Sequence, residues 1–94
     1  MEMERDELKG WIEELDPVID PMVQEISQLK ADIKKYQRRV AFLESLPVAD
    51  KYPELRNEYV MKGNEYQQRL DMLLQKYTKL FNVREHVLIK LSNI

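Results

Sequence analysis

The segment Leu46-Pro47-Val48-Ala49-Asp50-Lys51-Tyr52-Pro53 decides the fold, because it interrupts a hydrophobic repeat that continues on both sides of it. A proline in a helix interior removes a backbone hydrogen bond, whereas a proline is well suited to the first position of a helix. The two prolines of this segment therefore indicate that one helix ends and another begins. We predict a helix over about residues 2–46, a turn over about 47–52 and a helix over about 53–92.

On each side of the turn, apolar residues recur in alternating steps of four and three. This repeat is typical of a coiled-coil seam, the narrow stripe along which two helices pack. Gly63 and Arg84 occupy seam positions without supplying an apolar side chain. The predicted hairpin seam consists of Leu8, Ile12, Leu15, Ile19, Met22, Ile26, Leu29, Ile33, Tyr36, Val40, Tyr59, Tyr66, Leu70, Leu73, Tyr77, Leu80, Val87 and Leu91.

The register of the two helices follows from the residue numbers. If the chain folds back about the turn, facing seam residues have numbers with a constant sum, and Leu8 with Leu91 and Tyr36 with Gly63 both sum to 99. The residue without a side chain thus falls opposite a bulky tyrosine. The sequence predicts an all-α fold, a long antiparallel helical hairpin that forms a single domain over residues 1–94.

Two prolines lie inside the first predicted helix, in the pairs Asp16-Pro17 and Asp20-Pro21. A proline inside a helix lowers helix stability by about 3 kcal/mol, so this segment has two alternative structures. In the first, the helix has a proline kink near residues 16–21 but continues, as the unbroken repeat favours. In the second, an aspartate caps a new helix with proline at its first position, and the fold becomes a three-helix bundle.

The charges are distributed unevenly along the chain. Residues 1–20 contain eight acidic and two basic residues, while the whole chain has a formal net charge of -2. That net charge provides no overall attraction to nucleic acid. In the predicted hairpin, the acidic beginning lies beside Lys76, Lys79, Arg84 and Lys90. A basic stripe, Lys30, Lys34, Lys35, Arg38 and Arg39, is interpreted as a solvated helix flank.

The sequence lacks the residue patterns that chemistry or metal binding needs. His86 is the only histidine and there is no cysteine, which excludes the usual zinc ligand sets. Glycine-rich phosphate loops and nucleophile motifs are absent as well. We therefore expect no enzymatic activity, no cofactor and no small-molecule substrate. We also expect a cytoplasmic protein without a membrane span, because no apolar run approaches ~20 residues and the acidic beginning does not resemble a signal peptide.

Several large apolar residues lie beside the seam, where a two-stranded hairpin cannot cover them. Exposed apolar surface of this kind marks contact with another chain. The candidate partner interface consists of Trp11, Phe42, Met61, Met72, Leu74 and Phe81. These residues predict a structural or interaction protein, a small subunit or adaptor that forms a homo-oligomer or docks into a larger assembly by helix packing. The alternative is a transient regulator, inhibitor or secretion-associated chaperone that binds one partner through its acidic N-terminal segment.

Overall fold

The computed structural model describes residues 2–48 and 52–94, and the side chains of residues 4–48 and 52–94. It contains two long helices, α1 (Glu2–Ser45) and α2 (Pro53–Ser92), which pack against each other as an all-α helical hairpin. The three-helix bundle is wrong, because α1 is one continuous helix through Pro17 and Pro21.

α1 is continuous because its two prolines and its buried apolar residues lie on different faces of the helix. Pro17 and Pro21 are exposed, while Leu15, Ile19 and Met22 on the other face are buried. The two prolines lack the N–H groups that a helix donates to the carbonyl oxygens four residues earlier. Those carbonyls belong to exposed residues, so water replaces the missing donors. Burial of one apolar face therefore outweighs the cost of two prolines on the exposed face.

The turn begins and ends at well-defined backbone hydrogen bonds. After α1 ends, the N–H of Leu46 donates to the carbonyl of Leu43 at 3.3 Å, which tightens the last turn of α1. Pro53 is the first residue of α2, and the carbonyl of Tyr52 accepts the N–H of Arg56 at 3.0 Å. Residues 49–51 of the predicted turn lie outside the described residues.

The chain divides into two compact units, which we describe separately. The turn-proximal unit is Ile26–Met72, and the terminal unit combines the chain through Glu25 with Leu73–Ile94. Each contains part of α1 and part of α2. The turn-proximal unit buries Ile26, Leu29, Ile33, Tyr36 and Leu70 along its seam, and leaves Val40, Tyr59 and Tyr66 half-buried.

Tyr36 marks the register of the turn-proximal unit. Its ring centroid lies 5.8 Å from that of Tyr59 and 5.7 Å from that of Tyr66. A Cβ atom placed on Gly63 would lie 3.8 Å from the Cβ atom of Tyr36. The glycine therefore faces the tyrosine, as the constant sum of 99 requires, with the two half-buried tyrosines one turn away on either side.

The terminal unit has its own seam and its own interhelical ion pairs. Leu15, Ile19, Met22 and Val87 are buried, while Leu8, Ile12, Leu73, Tyr77, Leu80 and Leu91 are half-buried. Arg84 extends from its seam position to Asp16, with Nε 2.6 Å from Oδ1. Lys90 Nζ lies 3.6 Å from Glu4 Oε1. Two acids of the N-terminal segment thus pair with bases of α2.

Candidate partner-binding surfaces

The six residues of the predicted interface are divided between the two compact units. Trp11, Leu74 and Phe81 belong to the terminal unit, whereas Phe42, Met61 and Met72 belong to the turn-proximal unit. Five of them are exposed, and Leu74 is half-buried. Each unit therefore has its own exposed apolar residues, with their own surrounding chemistry.

The first surface lies on α1 in the terminal unit and is called the acidic stripe, Glu7, Trp11, Glu14 and Val18. Steps of four, three and four place these residues on one face of the helix. All four are exposed, and Trp11 and Val18 keep 46% and 45% of their surface accessible. Within the part of the chain that the structure describes, neither glutamate forms an ion pair. The stripe therefore alternates two unpaired carboxylates with two apolar side chains.

A second apolar surface of the terminal unit surrounds the Asp16–Arg84 ion pair. Val23, Tyr77 and Phe81 line a cavity of about 410 Å³ together with these charged residues. The rings of Tyr77 and Phe81 are stacked with their centroids 5.7 Å apart. Arg84 donates a hydrogen bond to Asp16, which raises the pKa of Arg84 and holds its guanidinium at the edge of this cavity.

The third surface lies in the turn-proximal unit and is called the basic surface, Arg38, Arg39, Phe42, Leu43, Leu55 and Tyr59. These residues line a cavity of about 330 Å³. Phe42 is 63% exposed and Leu55 is 37% exposed at its rim. Both arginines are exposed, and among the described residues neither forms an ion pair. The surface thus combines an apolar cavity with two free guanidinium groups.

Arg39 is held in place by the tyrosines of the seam. Its guanidinium carbon lies 5.7 Å from the ring centroid of Tyr36 and 5.6 Å from that of Tyr59. A cation over an aromatic face at this distance gains about 0.5–1 kcal/mol at an exposed site. Tyr36 and Tyr59 therefore position one of the two charges at the cavity.

The opposite side of the turn-proximal unit is polar by comparison. A groove of about 440 Å³ is lined by seam residues with Gln37, Glu44, Asn64 and Gln67 at its edges. Met61 lies on another exposed surface, beside Glu54, Glu58 and Glu65 among others. Neither surface carries free basic residues next to an exposed aromatic ring.

The two units also differ in charge. By sequence, the terminal unit contains ten acidic and six basic residues, a net charge of -4, and the turn-proximal unit contains seven acidic and nine basic residues, a net charge of +2. Opposite net charges on two parts of one chain favour association of unlike parts from different molecules over like parts.

Sequence reasoning missed several residues that the structure places at these surfaces. Val18 and Leu55 are exposed apolar residues outside the predicted set. Arg56 donates to Glu44 at 2.8 Å, an interhelical ion pair that was not predicted. This ion pair could have been predicted from the sequence. One further step of the seam repeat places Arg56 opposite Leu43, and therefore next to Glu44.

The described residues contain no metal-ligand cluster and no candidate membrane span. No three histidine, aspartate or glutamate side chains in that part of the chain are grouped as metal ligands. Neither α1 nor α2, over the same residues, offers a stretch long and apolar enough to cross a bilayer. His86 is exposed.

Comparison of the chain with protein-family models, with curated proteins and with solved structures found no match in any of the three. The exposed surfaces are therefore the features of the chain that bear on its function.

Proposed function

We propose that this protein is a structural or interaction protein, a small helical subunit that docks onto other protein chains by helix packing. The observation that carries the proposal is the amount of surface left exposed. The chain exposes 7342 Å². A compact protein of 11.3 kDa exposes about 5,700 Å², so the excess is about 1,600 Å².

The exposed surface has the composition of an unfilled interface. No described side chain is less than 2% exposed, while twelve large apolar residues are exposed. Aromatic residues and arginines are enriched where proteins bind each other, and Trp11, Phe42, Arg38 and Arg39 supply both kinds of group. A second layer of helices would cover these residues.

The test uses one variant at each of two predicted anchors. Trp11→Ala and Phe81→Glu remove an apolar contact from exposed positions, so both variants should stay helical but lose binding. Gln24→Ala and Asn82→Glu are matched controls, because both residues are exposed and polar. Light scattering measures self-association, and co-purification from the native host measures binding of other chains.

We expect wild type and both controls to retain the same binding, with at least one anchor variant reduced about tenfold or more, as expected for loss of a central aromatic residue. The proposal fails if wild-type protein is a monomer and both anchor variants co-purify with the same chains as wild type.

The alternative function, a transient regulator that binds through the acidic N-terminal segment, has less support. Asp16 and Glu4 are already paired with Arg84 and Lys90. Binding by an acidic decoy would weaken steeply between low and physiological salt, whereas binding through the apolar cavity at Phe81 would change little.

A further inference from the structure

We propose that the basic surface of one copy of this chain binds the acidic stripe of a second copy, so that the protein assembles with itself through two unlike surfaces. This inference rests on the proposed function, since it names the partner for two of the exposed surfaces. Its test is separate, because docking onto other proteins does not require self-association.

The basic surface has the chemistry of a receptor for an acidic helix with an apolar anchor. A cavity of about 330 Å³, lined by the exposed Phe42 and Leu55 among others, is large enough to admit one large side chain. Arg38 and Arg39 stand at the same cavity with no carboxylate partner among the described residues. Arginine forms bidentate hydrogen bonds with carboxylates, so a matching ligand carries acids next to its anchor.

The acidic stripe is such a ligand. Trp11 is the largest exposed side chain on it, and Glu7 and Glu14 flank Trp11 at about one helical turn on each side. An amphipathic helix that inserts an aromatic anchor into an apolar groove is a recurring mode of recognition. In the proposed contact, Trp11 enters the cavity beside Phe42, and the glutamates pair with Arg38 and Arg39.

The charges of the two units argue for a second copy as the occupant. The terminal unit carries -4 and the turn-proximal unit carries +2, so contact between unlike units is attractive and contact between two acidic stripes is repulsive. Each copy then has one donor face and one acceptor face.

Charge reversal on one face at a time tests the contact. One variant carries Arg38→Glu with Arg39→Glu, and the other carries Glu7→Arg with Glu14→Arg. Lys34→Glu and Glu13→Arg are the matched controls, since both residues are exposed and lie outside the two surfaces. Because Arg39 also contacts the tyrosine rings, Phe42→Ser serves as a second basic-surface variant that leaves those rings in place. Circular dichroism confirms that each variant is folded.

Sedimentation velocity over a range of concentrations measures the association. We expect wild type and both controls to self-associate, more strongly at ~50 mM than at ~500 mM salt. Each charge-reversal variant alone should associate at least ~100-fold more weakly, because like charges then meet. An equimolar mixture of the two variants should form a one-to-one complex, since each keeps the face that the other has lost.

Three results would overturn the inference. The first is wild type that stays monomeric at ~1 mM and ~50 mM salt, which leaves the proposed function to its own co-purification test. The second is association that both charge-reversal variants and Phe42→Ser retain at the wild-type level. The third is a failure of the mixed variants to bind each other, which would mean that the acidic stripe and the basic surface serve different partners.

Discussion

A methyl group on Gly63 would lie 3.8 Å from the Cβ atom of Tyr36, at ordinary van der Waals distance. The absence of a side chain at residue 63 is therefore not required for the helices to approach, although the glycine does face the tyrosine. Glycine within a helix costs about 0.5–1 kcal/mol relative to alanine.

Gly63→Ala should accordingly raise the free energy of unfolding by about 0.5–1 kcal/mol, measured by urea denaturation followed by circular dichroism. Gly10→Ala is the control, because a Cβ atom there meets nothing within 4 Å, and it should be stabilising by a similar amount. Gly63→Leu should instead lower stability by about 1–3 kcal/mol through overpacking against Tyr36. A destabilising Gly63→Ala would show that Tyr36 cannot accommodate the methyl group.

Much of the fold could be predicted because it depends on two signals that the sequence carries directly. The apolar repeat defines the seam, and the Pro47–Pro53 segment divides it into two helices of matched length. Whether α1 continues through Pro17 and Pro21 could not be decided in this way. Local propensity favours a break and tertiary packing favours continuity, and only the structure shows that burial of Leu15 and Ile19 prevails.

The candidate surfaces were less predictable than the seam. Apolarity beside the seam selects Trp11 and Phe42, but it does not show which residues share a surface. Leu55 became apparent only because α2 brings it to the same cavity as Phe42 and Arg38. The identity of a partner depends on the surface of another molecule, which this sequence does not describe. Within the chain, the charge complementarity between the acidic stripe and the basic surface is what points to a partner.

The two prolines of α1 give a test of its continuity. Pro17→Ala and Pro21→Ala each restore a backbone donor in a helix that already exists, so the free energy of unfolding should rise by about 1–3 kcal/mol per substitution. The helical signal of the folded protein should stay the same, because no new residues become helical. An increase in that signal would indicate that α1 is broken near residues 16–21. Pro47→Ala, outside α1, is the control and should have little effect on stability.

The Asp16–Arg84 ion pair should contribute modestly to stability. Its side chains are partly exposed, so water and salt screen the attraction between the two charges. A double-mutant cycle with Asp16→Asn and Arg84→Gln should give a small favourable coupling energy that falls at high salt. Lys62 and Glu58, which are paired at 3.6 Å on one helix, provide the comparison and should show a coupling of about 0.3–0.5 kcal/mol. A salt-independent coupling would mean that packing, not charge, links Asp16 and Arg84.

Tyr36 should be the most sensitive position of the turn-proximal unit. Its ring is 8% exposed and lies between the rings of Tyr59 and Tyr66, so Tyr36→Ala should lower the free energy of unfolding by about 3–5 kcal/mol. Among the described residues, no side-chain hydrogen bond involves Tyr36. Every buried side-chain oxygen or nitrogen there has a partner, so the Tyr36 hydroxyl is not buried and reaches water. Tyr36→Phe should therefore stay within about 0.5 kcal/mol of wild type. Urea denaturation measures the stability of both variants, and Tyr52→Ala, at an exposed position, is the control. If Tyr36→Ala lowers the free energy of unfolding no more than Tyr52→Ala does, the stacked rings do not hold the two helices together.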